Sequence, residues 1–453
     1  MLELTSALAR FCSTPPFSTV PNDAAAIVSS GFVDTAATLI AGRSEPVVNI
    51  VREYLADRIG AHGEATVLFG TTRARAADAA LINGTAAHAL DYDDVALGGH
   101  PSTVLVPAVL AEGETLGATG ADLIRGYLIG YEVWAELIGR DADPHHVKGW
   151  HPTAVFGAVA AAAAVAALRR LPFEIARHAI ALAGSMAGGL VANFGTMTKP
   201  FHAGRAASAG IEAVRLALRG MTAAPDAMEH HAGFLSAISP HGRLDLERPA
   251  DRLGYDLRIR ESGLSVKQYP ICYATHRVID GVIDAARREN LHPEQVAAVH
   301  AQIGKTQASM LRNHAPQTGL EAKFSLEFAV ASSLVAQEVG LAQLNDAFVR
   351  RPEVQATMKK VSTATVDTTC PIEPMFAFAD RVRIELKDGR AIDTGEIRFA
   401  RGNAKLPLTS DELKRKFFDC VQSAHEVDAE RIYRQLAGLD SLASVRELTG
   451  AHR

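Results

Sequence analysis

From residue 22 to about residue 260 the apolar positions recur at helical spacing. Segments 24–40, 76–90, 101–116, 121–139, 152–168, 172–190 and 204–218 each read as a helix, and Gly42, Gly117 and Gly220 stop three of them. Ala and Gly recur throughout these segments. Small side chains let helix axes approach closely, which predicts a compact helical bundle.

The pattern changes after about residue 262. Segment 296–303 reads as a strand, and 361–368 is rich in Val and Thr. Val382, Ile384 and Leu386 alternate with Arg383, Glu385 and Lys387, a period of two. Asp388-Gly389 follows at once as a hairpin turn, with 392–399 as the return strand. A helix over 325–337 is interleaved. Thr409 and Glu412 then fit a capping box, opening a helix to residue 424, and a second helix over 428–436 stops near Gly438. A helical tail after an α+β block predicts a return to the first domain. The expected fold is mostly α with an α+β part: a large all-helical domain from 1–262 and 396–453, and a smaller inserted α+β domain over 263–395.

Composition narrows the class. The 453 residues are 48% apolar and 21% charged, so a large core is available and disorder is not indicated. The net charge of −5 argues against nucleic-acid binding through a global basic surface. Aromatics at 6% fit packed helices better than an all-β design. The N-terminus shows no basic stretch followed by an apolar one, and the apolar run 154–168 falls short of the ~20 residues a membrane span needs. A cytoplasmic protein with no membrane or nucleic-acid partner is expected. Cys12, Cys272, Cys370 and Cys420 lie far apart, which removes zinc-ribbon and CxxC readings. Phosphate-binding and dinucleotide-binding glycine loops are absent. Ser185 is one position early for a nucleophile elbow, so its glycines point to helix packing.

Three basic residues precede prolines: His100-Pro101, His151-Pro152 and Lys199-Pro200. Proline suits the first helical turn, so each basic side chain is expected beside free N–H groups and a positive dipole end. One such pair is an ordinary helix entrance; three converging would make a pocket for carboxylates. Asp91, Asp93 and Asp94 lie just upstream of His100. They read as a magnesium-type site, as a helix-terminal turn aiming one carboxylate at the pocket, or as solvated acid. Lys267-Gln268-Tyr269-Pro270 falls at the expected domain junction, with Cys272 and His276 close behind. Clefts between domains are favoured ligand sites, although His276 reads equally well as a structural histidine. The pairs His145-His146 and His230-His231 read as surface residues.

Taken together, these segments resemble a known signature. His88-Ala89-Leu90-Asp91-Tyr92-Asp93-Asp94 with Gly99-His100-Pro101-Ser102 is similar to the MmgE/PrpD family pattern. So are Gly149-Trp150-His151-Pro152-Thr153, the run from Gly195 to Gly204, Lys267-Gln268-Tyr269-Pro270 with Thr275-His276, and Ala322-Lys323-Phe324-Ser325-Leu326. That family includes 2-methylcitrate dehydratase, cis-aconitate decarboxylase and iminodisuccinate epimerase. The resemblance implies a helical domain with a smaller lid domain, a homodimer, an active site at the domain junction, and neither metal nor organic cofactor. By motif match it implies Asp91, His100, His151 and Lys199 as catalytic residues and Lys267 as a substrate contact, with Cys272 and His276 beside it.

Two departures stand out. The decarboxylase pattern has threonine after the acidic cluster and a polar stretch before the His-Pro, where this chain has Val95-Ala96-Leu97-Gly98-Gly99. It also has a histidine at the position of Cys272. Both changes remove polar groups that could contact substrate and put decarboxylation of cis-aconitate in doubt, without identifying the substrate. The expected activity is a cofactor-independent hydro-lyase, 2-methylcitrate dehydratase-like, acting on a small di- or tricarboxylate. An epimerase or isomerase of an imino- or amino-linked dicarboxylate is the alternative. A cis-aconitate-type decarboxylase ranks third, and a carboxylate-binding homologue without catalysis last.

Overall fold

A computed structural model describes residues 3–60 and 62–450. The chain forms two compact units, one of residues up to 266 together with those from 409 onward, the other of 267–408. The protein is mostly helical, with small sheets.

The first unit is built around helix Pro152–Leu168, whose residues are all buried. Its sequence explains that position. Seven of its residues from Ala160 to Ala167 are alanine, so neighbouring helices approach from every side. Helices Ser102–Leu116, Gly120–Ile138, Phe173–Met186 and Thr198–Ala217 pack around it. Helix Ala76–His88 crosses Thr198–Ala217 at a pair of glycines. A Cβ on Gly204 would meet the Leu81 carbonyl oxygen at 2.1 Å, so only glycine permits this crossing. The crossing brings the end of one helix, at His88, near the start of the other, at Lys199.

Two helix limits differ from those the periodicity predicts. The helix expected over 172–190 ends at Met186, where Ala187 turns extended and Gly188-Gly189 follow. The helix expected from residue 204 begins at Thr198, with Pro200 in its first turn, where proline costs no hydrogen bond. A three-stranded antiparallel sheet of Ile59–Gly60, Arg73–Ala74 and Ala65–Thr66 has no counterpart in the sequence reading, because strands of two residues carry no periodicity.

The tail helix Ser410–Val421 opens on the expected capping box, with the Thr409 side chain accepting from the Glu412 N–H. It packs on helix Asn22–Gly42. Asn22–Gly42 is long and apolar enough to cross a membrane, but it is mostly buried in this unit, and its Asp34 pairs with the Lys416 ammonium at 2.5 Å.

The second unit holds a four-stranded sheet in the order Val361–Val366, Val296–Gly304, Arg381–Leu386, Ala391–Asp393. The first pair is parallel and the others antiparallel. Gly389 takes φ +87°, as the Asp-Gly turn requires, and the Leu386 N–H donates to the Arg390 carbonyl at 2.8 Å. Helices His276–Glu289 and Leu326–Val335 bury their apolar residues with those of the sheet. This unit continues to Leu408, beyond the expected limit at 395. Ile397 bridges to Asp380, and Arg401 binds the Asp280 and Asp284 carboxylates at 2.7–3.1 Å, which ties 396–408 to this unit.

Candidate functional site

Helix Ala76–His88 ends just before a tight loop that carries the acidic cluster. The Asp91 N–H donates to the His88 carbonyl, and Asp91 sits at φ +54°, a left-handed conformation that aspartate tolerates better than most residues. The loop then folds on itself. Ala96 and Gly99 exchange backbone hydrogen bonds, and Trp134 Nε1 donates to the Leu97 carbonyl at 3.3 Å. The His100 N–H donates to Thr153 Oγ1 at 3.2 Å, which couples this loop to the entrance of helix Pro152–Leu168.

The three basic-Pro positions do differ in detail. His151 is the N-cap of its helix with Pro152 in the first turn, as expected. His100 lies one residue outside, because Pro101 is the N-cap. Lys199 lies inside its helix rather than before it. Even so, Asp91, His100, His151 and Lys199 come together. Lys199 Nζ donates to Asp91 Oδ1 at 2.7 Å, and Asp91 Oδ1 lies 3.9 Å from His100 Nε2. The His100 and His151 rings are 6.4 Å apart, edge to face. Phe194 closes one side, 4.8 Å from the His151 ring and 5.3 Å from Lys199 Nζ.

The carboxylate behind His100 is Asp93, which the sequence grouped with Asp91 and Asp94 without giving it a role of its own. His100 Nδ1 lies 2.7 Å from Asp93 Oδ2 and 3.0 Å from the Asp94 carbonyl, and both are acceptors, so Nδ1 carries a proton. That turns Nε2 toward Asp91. His88 Nδ1 lies 2.9 Å from the other oxygen of Asp93. Burial raises the Asp93 carboxyl, but the His88 and His100 imidazoles outweigh it and hold it well below the usual range. His88, itself fully buried, is pushed down to about 4 by loss of water and is neutral. Burial, then Lys199 and the neighbouring histidines, hold His151 well below its ordinary value, so it too is neutral at pH 7.

Beneath the loop lies a further layer. Ser102 Oγ donates to Asp94 Oδ2 and lies 2.7 Å from the Tyr127 hydroxyl. Burial and the nearby Asp34 carboxylate push Asp94 well above its usual value. Lys416 Nζ, from the tail, donates to the Tyr92 carbonyl at 2.7 Å and sits 4.0 Å above the Tyr92 ring. The loop between Asp91 and Asp94 is thus fixed from below by residues of both chain ends.

His88, Asp91, Asp93 and His100 place one potential ligand atom each within 4.8 Å of one another. Their partners are nevertheless largely assigned. Two histidine Nδ1 atoms face the two oxygens of Asp93, and an ammonium faces Asp91. The geometry suits an organic cation and ring N–H donors more than a divalent ion, which would have to displace Lys199.

Lys267, Cys272 and His276 belong to the second unit, and all three are buried there. The Cys272 N–H donates to the Lys323 carbonyl at 2.9 Å. His276 Nε2 lies 3.2 Å from the Ile271 carbonyl, and its ring is wedged 5.1 and 5.0 Å from those of Tyr269 and Tyr273. This is the environment of a histidine that supports the 269–273 turn. His145, expected on the surface, is buried edge-on against Phe156 at 4.7 Å. His146 is half-buried and pushed down to about 4 by loss of water. His231 is exposed, and His230 is half-buried.

Sequence reasoning also passed over His202 and His88 as site residues, although signals for both existed. His88 is a polar residue closing a helix that is wholly buried and Ala-rich. His202 follows Lys199 by three positions, on the same helical face.

An acid–base cluster buried at helix ends in a helical unit, with a separate α+β unit, defines the structural class. Comparison with known families makes it specific. Residues 6–247 match the MmgE/PrpD N-terminal domain and residues 269–439 match the MmgE/PrpD C-terminal domain. The chain belongs to the MmgE/PrpD family. It is 28% identical to the cis-aconitate decarboxylase of Mus musculus over 351 residues, covering 75% of this chain and 70% of that protein. The human cis-aconitate decarboxylase is 27% identical over 350 residues, 75% and 71% of the two chains. That of Aspergillus terreus is 26% identical over 404 residues, 82% and 80%. These relatives are enzymes by name.

Proposed function

We propose that this protein is a cofactor-independent lyase of a small di- or tricarboxylic acid, with 2-methylcitrate-type dehydration as its leading reaction. The observation that carries the reading is the Lys199–Asp91–His100–His151 cluster with Asp93 behind His100. A proton next to a carboxylate is weakly acidic, and its removal places charge on the carboxylate oxygens. Catalysis requires a base that is neutral in the resting state, an acid, and a fixed positive group at the developing enediolate. His151, kept neutral by burial and by Lys199, suits the base. His100, whose Nδ1–H is held against the ionised Asp93 so that Nε2 faces the Asp91 side of the cluster, suits the acid by position. Lys199 supplies positive charge for a substrate carboxylate.

In this scheme His151 takes the α-proton. Electrons flow into the carboxylate, and their return expels the β-hydroxyl as His100 protonates it. The products are water and an alkene acid. A second reading, decarboxylation of a cis-aconitate-like acid, is favoured by the names of the relatives. It uses the same charged groups, with an acid protonating carbon as CO2 leaves. Val95 and Cys272, where the decarboxylase pattern is polar, weigh against decarboxylation and leave dehydration and epimerisation equally open. Proton NMR with citrate, 2-methylcitrate and cis-aconitate separates the two. A new vinyl signal from a hydroxy acid at constant carbon count supports dehydration, and carbon loss from cis-aconitate supports the second reading.

A further inference from the structure

His151 and His202 meet nitrogen to nitrogen, with their Nδ1 atoms 3.1 Å apart and both rings buried. The contact is built rather than incidental. His202 lies one helical turn beyond Lys199, which fixes its direction. His151 is pinned by its own N–H, which donates to the Gly189 carbonyl at 3.0 Å. Gly189 is where the His202 ring passes: a Cβ there would stand 3.1 Å from that ring and 2.4 Å from Ala154 Cβ. A residue larger than glycine would push the two histidines apart.

Two imidazole nitrogens in a hydrogen bond share one proton between them. Whichever ring holds it is the donor, and the other must present a bare Nδ1. The tautomers of the two rings are therefore coupled. When His151 Nδ1–H donates, His151 Nε2 is bare and basic. When His202 Nδ1–H donates, a neutral His151 carries its proton on Nε2 and is an acid.

We propose that His202 is the positioning residue that sets the tautomer of His151 and shares the proton His151 gains. The inference rests on the lyase reading for its kinetic consequence, though not for the pair itself. The proton balance is simple. His151 Nε2 accepts the substrate α-proton, and its Nδ1 proton moves to His202 Nδ1. His151 is then neutral and His202 is the imidazolium. The step is reversed when the proton leaves, and no other reactant is needed. The titratable groups around His151 besides His202 are Lys199, His88 and His100; Lys199 is the one beside His202. Sharing the proton lessens the build-up of a second positive charge on His151 itself, which Lys199 already disfavours.

The test uses the full-length chain labelled with 15N-histidine, with the His151 signals assigned by their loss in His151→Gln. The pair predicts one ring of the two as the Nδ1–H tautomer and the other as Nε2–H, and it predicts that His202→Phe changes the pattern of His151. In steady-state kinetics, His202→Phe is expected to lower kcat about 10- to 100-fold, with KM within about two-fold. The kinetic limb assigned to His151 should also move along the pH axis. His202→Asn, which can still make one hydrogen bond, should recover part of the loss and serves if the Phe variant does not fold. A His151 tautomer and pH limb unchanged by both substitutions would overturn the proposal. Absence of turnover by the wild type would count against the lyase reading alone, since the NMR pattern decides the pair without substrate.

Discussion

Lys199 Nζ and Asp91 Oδ1 lie 2.7 Å apart, although 108 residues separate them in sequence. The Gly84–Gly204 helix crossing makes this possible, and the left-handed Asp91 aims its carboxylate across it. Lys199→Met removes the ammonium and keeps an unbranched, flexible side chain one atom shorter. It is expected to lower kcat/KM at least about 100-fold while the circular dichroism spectrum stays that of the wild type. Activity within a few-fold of wild type would remove Lys199 from the reaction.

Asp93 faces His100 and His88 at once, so it should matter as much as Asp91. Asp93→Asn keeps the shape but loses the carboxylate that faces the Nδ1 atoms of both histidines and fixes the orientation of His100. The variant should lower kcat more than it raises KM. Equal effects on both parameters would point to binding instead.

The cation in this cluster is Lys199. Dialysis against EDTA should leave activity unchanged, and added magnesium should not raise it. Loss with EDTA and recovery with magnesium would mean that a divalent ion takes the place assigned here to the ammonium.

Lys416 joins the tail to Asp34 and to the Tyr92 carbonyl, all buried. Lys416→Met leaves Asp34 without its ammonium in a low-dielectric site, at a cost of about 3–5 kcal/mol in urea denaturation. Lys416→Met with Asp34→Leu should recover much of that loss. If the single variant is as stable as wild type, the tail does not anchor the 91–94 loop.

Glu132 is pushed up to about 7 by burial, while the Arg258 and Ile259 N–H groups donate to it at 2.9 and 3.0 Å. Its folded pKa exceeds the unfolded value, so its favourable contribution is present below about pH 4.5 and is lost as pH rises through 7. Between those limits the change is about 3 kcal/mol. Measured by urea denaturation from pH 4.5 to 8, Glu132→Gln should gain stability relative to wild type by about that amount. Parallel curves for the two proteins would show that Glu132 is ionised throughout.

Much of this was legible from residue pattern. The buried Ala-rich helix, the Asp-Gly hairpin and the Thr409 capping box are local, and local signals survive in a single sequence. The spacing of His100, His151 and Lys199 before prolines announced three helix entrances, and the structure gathers them around Asp91. What pattern could not give was pairing. Asp91, Asp93 and Asp94 are nearly equivalent as letters, yet one faces Lys199, one lies between two histidines and one meets Ser102. That division follows from the left-handed Asp91 and a loop closed by Ala96 and Gly99. His202 was hidden for a similar reason: its partner is 51 positions away, and a glycine two residues before Val191 makes their contact possible. The end of the second unit was misjudged because Arg401 is held by carboxylates of a helix more than a hundred residues earlier.

Removal of a proton α to a carboxylate by this cluster, without a cofactor, can be followed by proton NMR in D2O with citrate, 2-methylcitrate, cis-aconitate, malate and iminodisuccinate. A new vinyl signal from a hydroxy acid, abolished in Lys199→Met, is the expected result. Deuterium entering an α-position with neither alkene formation nor carbon loss would overturn the lyase reading in favour of an epimerase, and no change in any of the five acids would overturn proton abstraction by this cluster altogether.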